Sequence, residues 1–196
     1  MNPLNSNEIN NIIKQQGLNL LVVSYGGSMS NTLVNVLEKN NYTCKTNIWH
    51  NILCHCPHYI DIDIPIIYVY DNPIKSFLSM KKRGHGYWDI NQKKLSNSNN
   101  IKLSDENLIK LMLDQFNSWT HIKRPNVLII KSCELFEKTI VDKLESFLQT
   151  KIFHFPISYS EPKTTHVDIE NFKSSNLFKK YSLAINKVNA FKMEDI

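Results

Sequence analysis

The chain has 196 residues, 42% hydrophobic and 21% charged, with a formal net charge of +5 at pH 7. That length can hide roughly 70% of the unfolded surface in a core and fits one domain, 1–196. The small, dispersed positive excess suits anionic ligands and does not point to nucleic acid, and four cysteines in a chain this long make no disulfide framework.

The start, MNPLNSNEINN, is polar and lacks a basic stretch followed by an apolar one, so no signal peptide is expected. No apolar run approaches the ~18 residues that cross a bilayer, so no membrane contact is expected. An intracellular, cytoplasmic and reduced protein follows from these readings. After Gly17, the run LNLLVVS (18–24) reads as a buried parallel strand. A loop of glycines and hydroxyl residues follows, and then Leu33, Val36 and Leu37 recur at helical spacing over 30–40, with Ser28 or Ser30 as the cap. NILCHC (51–56) suggests a short strand, and IPIIYVY (64–70) a stronger one.

DNP (71–73) breaks that strand and starts a helix over IKSFLSMKKR, with Asp71 or Asn72 as cap and Pro73 in its first turn. Residues 84–103, with Gly84, Gly86 and NSNN, read as a long polar mobile loop. A helix over 104–119 carries Leu108, Leu111, Met112, Gln115, Phe116 and Trp119 on one face, capped by Ser104. NVLII (126–130) is a strand, TIVDKLESFL (139–148) an amphipathic helix, and a last helix lies near 176–188. Alternating strands and helices imply an α/β fold, a three-layer sandwich with a central parallel sheet. Ligands in such sheets sit at the carboxyl ends of the strands, where loops 24–31, 55–60 and 71–73 fall.

The first of these loops is the candidate site. A helix N-terminus preceded by flexible residues offers backbone N–H groups to an anion. Gly26 and Gly27 permit close approach, while Ser28, Met29, Ser30 and Asn31 complete the cradle with amides, hydroxyls and a side-chain amide. The pattern G-x-x-x-x-G-K-[ST] is not met, because the loop has no lysine.

Three stretches together resemble the sulfotransferase family of P-loop nucleotide-binding proteins, over roughly residues 18–150. SYGGSMSNTLVNVLE aligns with the family's Y-P-K/R-S-G-T/S-T loop and helix, with Gly27 at the lysine position and Met29 at a glycine. LCHCPHY (53–59) matches K-T-H-x-P through His55 and Pro57, with Leu53 and Cys54 replacing the lysine and threonine. PIIYVYDNPIKSFLSM (65–80) matches the strand, R-[ND]-P and helix serine through Asn72, Pro73 and Ser79, with Asp71 at the arginine. Ser132 to Leu135 stand where the family has Y-E-D-L, and Lys173 in NFKSS is a distant counterpart of its late basic motif.

The resemblance implies a co-substrate, 3′-phosphoadenosine 5′-phosphosulfate, and transfer of its sulfuryl group to a hydroxyl or amine acceptor. His55 would be the catalytic base; the loop 26–31, position 71 and Ser79 would bind the nucleotide; no metal is required. Asp71 puts a like charge beside a phosphate, and two unit charges at ~4 Å interact by roughly 4 kcal/mol at an effective dielectric near 20. Weak binding of the usual donor, or a changed donor, is therefore expected, and Lys81, Lys82 and Arg83 would compensate only by folding back.

Three other readings compete. One is a non-catalytic nucleotide- or anion-binding protein on the same fold. Another is a phosphotransferase with magnesium on Asp71, which the absent loop lysine disfavours. Zinc on CHCPH with Cys44 and His50 lacks a second cysteine pair.

Overall fold

Three of the apolar runs become three parallel strands: β1 Leu21–Val23, β2 Ile66–Tyr70 and β3 Val127–Lys131, adjacent in that order. They belong to a computed structural model that describes residues 6–44, 53–56, 58–121, 123–155 and 164–192. Leu21 stands opposite Ile66, and Ile66 opposite Val127. β-Branched and aromatic side chains fill both faces, as a sheet covered on both sides requires. Val23, Ile66, Tyr68, Tyr70 and Ile129 enter one core; Val22, Ile67, Val69, Leu128 and Ile130 enter the other.

The helices divide between these cores. α1 (Ser6–Gln16), α3 (Pro73–Lys82), α4 (His85–Ser96), α5 (Asp105–Thr120) and α8 (Asn176–Ala190) bury Ile9, Phe77, Leu95, Phe116 and Ile185 in the first core. α7 (His166–Lys173) lays Ile169 and Phe172 against it. α2 (Ser30–Lys39) and α6 (Ile140–Leu148) close the second core with Leu33, Leu37, Ile140 and Leu144. The loop after β1 thus leads to one face and the loop after β2 to the other. Adjacent parallel strands whose exits diverge leave a crevice at their carboxyl ends, and the first loop lies there.

α5 is the principal support of the first core. Ser104 caps it by accepting from the Asn107 amide at 3.1 Å, and Trp119 stacks on Tyr68 with ring centroids 5.7 Å apart. α3 starts as DNP suggests: Pro73 is its first residue, and Asn72 Oδ1 accepts from Ile74 N at 2.8 Å. Asp71 Oδ1 instead accepts from the Asn72 amide at 2.6 Å, so Asn72, not Asp71, is the cap.

Several expectations are corrected. Residues 85–96, read as part of a mobile loop, form α4. Among its described side chains the buried ones are Asn91, Gln92 and Leu95, so two of those three are amides and they mark no apolar helical period. Leu53–His55 is a 3-10 turn rather than a strand; residues 51 and 52 lie outside the described residues. Cys44 and Cys56 enter opposite cores and cannot share a zinc ion, and His50 lies outside the described residues. Neither Ser28 nor Ser30 caps α2; Met29 occupies that position without a side-chain hydrogen bond.

Two further helices were not anticipated. α1 sits on a narrow stripe of Ile9 and Ile13 inside an asparagine-rich start. α7 buries no residue fully but carries a capping box: Thr165 Oγ1 accepts from Asp168 N at 3.2 Å, and Asp168 Oδ2 accepts from Thr165 N at 2.8 Å. No helix among the described residues is long and apolar enough to cross a membrane.

Asn72→Ala removes the cap of α3 and should cost about 1 kcal/mol of stability in urea unfolding, whereas Asn72→Asp should retain most of it.

Candidate functional site

Residues 24–29 join β1 to α2 through an unusual run of backbone conformations. Gly26, Gly27 and Met29 all have positive φ, at 95°, 67° and 62°. Gly27 is required twice over. A Cβ there would lie 2.8 Å from the Ser76 carbonyl oxygen and 2.9 Å from its Cα, so the loop is pressed onto the backbone of α3. Met29 adopts the same region at a cost on the order of 1 kcal/mol. Its side chain packs against the α2-side core, and its carbonyl starts α2 by accepting from Thr32 N at 2.9 Å. Ser30 Oγ meets Ser24 Oγ at 2.9 Å, and Asn31 is exposed. Ser28 is fully buried, and its hydroxyl has no partner among the described residues.

His55 comes to this loop. A Cβ on Gly26 would lie 3.5 Å from His55 Cε1, 3.1 Å from Met80 Sδ and 3.2 Å from Asn91 Nδ2, so Gly26 fills the centre of a small ring of side chains. His55 Nδ1 is 2.7 Å from the Ser24 carbonyl oxygen. A carbonyl only accepts, so Nδ1 carries the proton and Nε2 keeps its lone pair. Burial pushes the His55 pKa down to about 4; the Ser24 hydrogen bond opposes this, and the Lys94 ammonium adds to it. At neutral pH the ring is an uncharged base of low basicity.

The turn that carries His55 is held by α5. The Ser24 amide donates to Cys54 O at 2.8 Å, while Gln115 Nε2 and Trp119 Nε1 donate to Cys56 O at 2.8 and 3.0 Å. Burial raises the Cys54 and Cys56 thiols to about 11, so both stay protonated. On the other flank, the buried Tyr25 hydroxyl donates to the Asp71 carbonyl and accepts from the Asp71 amide at 2.9 Å. The loops after β1 and β2 are thereby fastened together.

Not every residue singled out from the sequence reaches the loop's centre. Asp71 stands at the end of β2 with its carboxylate turned to its own helix start. Ser79 is half-buried three residues beyond Ser76, and it is Ser76 that touches Gly27. Lys81 and Lys82 do not fold back: they pair with Asp105 at 2.8 Å and Asp168 at 2.6 Å. Lys173 pairs with Glu170 at 2.8 Å on an exposed face. Pro57 lies outside the described residues.

Sequence reasoning missed Ser24, Tyr25, Ser76, Met80, Asn91 and Lys94 as parts of the site. Only Gln115 carried a usable signal, a polar residue on an apolar helical face. Among the described residues no group of three or more His, Cys, Asp or Glu side chains could hold a metal ion.

Fold and loop together define an α/β protein with a glycine-bearing turn and a buried histidine at the carboxyl end of a parallel sheet. No protein-family model matches the chain, and no curated protein or solved structure matches it either.

Two outcomes follow from this geometry. Gly27→Ala brings both a clash with Ser76 and a disfavoured φ, and should destabilise by roughly 1–3 kcal/mol in urea unfolding, more than Gly84→Ala, where nothing lies within 4 Å of the added methyl. For His55, the folded pKa near 4 lies below the ordinary 6.5. The unfolded state therefore binds the proton first, and stability falls as pH drops from about 6.5 to about 4, by up to roughly 3 kcal/mol. His55→Asn, compared with wild type by denaturant unfolding across that window, should show a shallower decline.

Proposed function

We propose that the chain is a divergent sulfotransferase-like protein, one domain with a three-layer P-loop architecture. It would transfer a sulfuryl group from 3′-phosphoadenosine 5′-phosphosulfate to a hydroxyl or amine acceptor. The observation that carries this reading is the position of His55, with its ring beside Gly26 and its Nδ1–H committed to Ser24, leaving Nε2 to accept a proton.

In the reaction, Nε2 takes the proton of the acceptor as its oxygen or nitrogen bonds to sulfur. The bond between sulfur and the bridging phosphate oxygen breaks, and the leaving adenosine 3′,5′-bisphosphate keeps the electron pair. Loop amides at 26–31 and the α2 dipole would stabilise that charge. No step requires a metal.

A second reading has its own support, a nucleotide- or anion-binding protein without turnover. A base with a pKa near 4 has little driving force to take a proton from an alcohol. The carboxylate of Asp71 also stands where the resemblance expects an arginine for the 3′-phosphate, and it would repel that group.

Adenosine 3′,5′-bisphosphate at about a hundred times its Kd should add about 2.7 kcal/mol and raise the melting temperature. Asp71→Asn removes the like charge and should tighten that binding, while His55→Asn should abolish sulfuryl transfer and spare binding. No shift at millimolar nucleotide removes the proposed donor; a shift without turnover selects the binding protein.

A further inference from the structure

The loop holds no cation, yet α4 brings a lysine to its side. α4 packs against α3, α5 and the 53–55 turn. On its inward flank Asn91 reaches Gly26, and Lys94 follows three residues later, one helical turn along the same flank. Lys94 is half-buried, and its electrostatic neighbours are Cys54 and His55, the two residues bonded to the Ser24 peptide. Among the described residues no carboxylate pairs with it. Lysines taken out of water are normally paired. Other lysines nearby differ: Lys81 and Lys82 are spent on Asp105 and Asp168, and Lys75 is exposed.

A second observation comes from within the loop itself. Ser28, within the loop and directly before the Met29 that starts α2, is fully exposed to neither solvent nor partner: its hydroxyl is buried and unsatisfied among the described residues. A buried hydroxyl without a partner and an ammonium half withdrawn from water are each unfavourable, and an oxyanion is the kind of group that accepts from either.

We propose that Lys94 supplies, from the opposite wall, the positive charge that the 24–29 loop lacks, so that an oxyanion of a phosphate or sulfate ester is held between the loop amides and the Lys94 ammonium. This rests on the reading of the loop as an anion site, and it explains how such a loop works without its own lysine. The burial that accommodates the anion also lowers the Lys94 pKa in its absence. A bound anion restores the charged form and shields His55 from the ammonium.

The test is calorimetric titration with adenosine 3′,5′-bisphosphate and with inorganic pyrophosphate, on wild type and on Lys94→Gln, Lys94→Arg, Lys75→Gln and Lys93→Gln. Lys94→Gln should weaken both probes roughly tenfold and flatten the loss of affinity between about 50 and about 200 mM salt. Lys94→Arg should recover most of the affinity, and the two control lysines should change it less than about twofold. Without ligand, NMR titration of the imidazole should show the His55 pKa rising in Lys94→Gln, a shift that a merely structural lysine at a distance would not produce. Wild-type binding that survives Lys94→Gln unchanged, or a His55 titration that does not move, overturns the role of Lys94 and leaves the loop standing. Failure of wild type to bind either probe overturns both.

Discussion

The backbone of Ser24, the residue directly after β1, is the joint on which the site depends. Its amide donates to Cys54 O and its carbonyl accepts from His55 Nδ1, so the 3-10 turn is held on both sides of one residue. Its hydroxyl reaches Ser30 at the head of α2 and accepts from the Gly26 amide at 3.3 Å. Inside a protein such bonds are strong, and leaving any one of them unmade is costly. Shifting Ser24 would therefore unseat the histidine, the loop and the helix start together. Gln115, reaching Cys56 O at 2.8 Å, carries this order outward into α5 and the aromatic core.

Much of the scaffold was legible because its signals are local and apolar. The runs at 18–24, 64–70 and 126–130 announced buried strands; the Leu, Met, Phe and Trp spacing of α5 and the Asn72–Pro73 pair of α3 announced helices. What stayed hidden has two physical causes. α4 turns Asn91 and Gln92 inward, where they are satisfied by tertiary partners: Asn91 Nδ2 lies 3.1 Å from Met80 Sδ, and Gln92 Oε1 accepts from Ser104 N at 3.0 Å. A helix held by buried amides has no hydrophobic period to read. α7 was hidden for the opposite reason, since it buries too little, and its Thr165–Asp168 capping signal stood without an apolar run behind it.

For the candidate site, the loop and the histidine were legible as separate motifs, and the fold puts them in contact. The structural support was not legible, because it is assembled from positions far apart in sequence: Tyr25 with Asp71, Gly27 with Ser76, Gly26 with Asn91 and Met80. Nor could the spacing show which serine of α3 meets the loop. Ser79 fits the resemblance, but the helix turns Ser76 to Gly27. The depressed basicity of His55 was equally invisible, since an unperturbed imidazole is the natural assumption until its burial is seen.

The Tyr25 hydroxyl, bonded to both the amide and the carbonyl of Asp71, works as a rivet between neighbouring strand ends. Two loops riveted in this way form a fixed jaw. A single oxygen thus couples the exits of β1 and β2, and one substitution, Tyr25→Phe, would uncouple them.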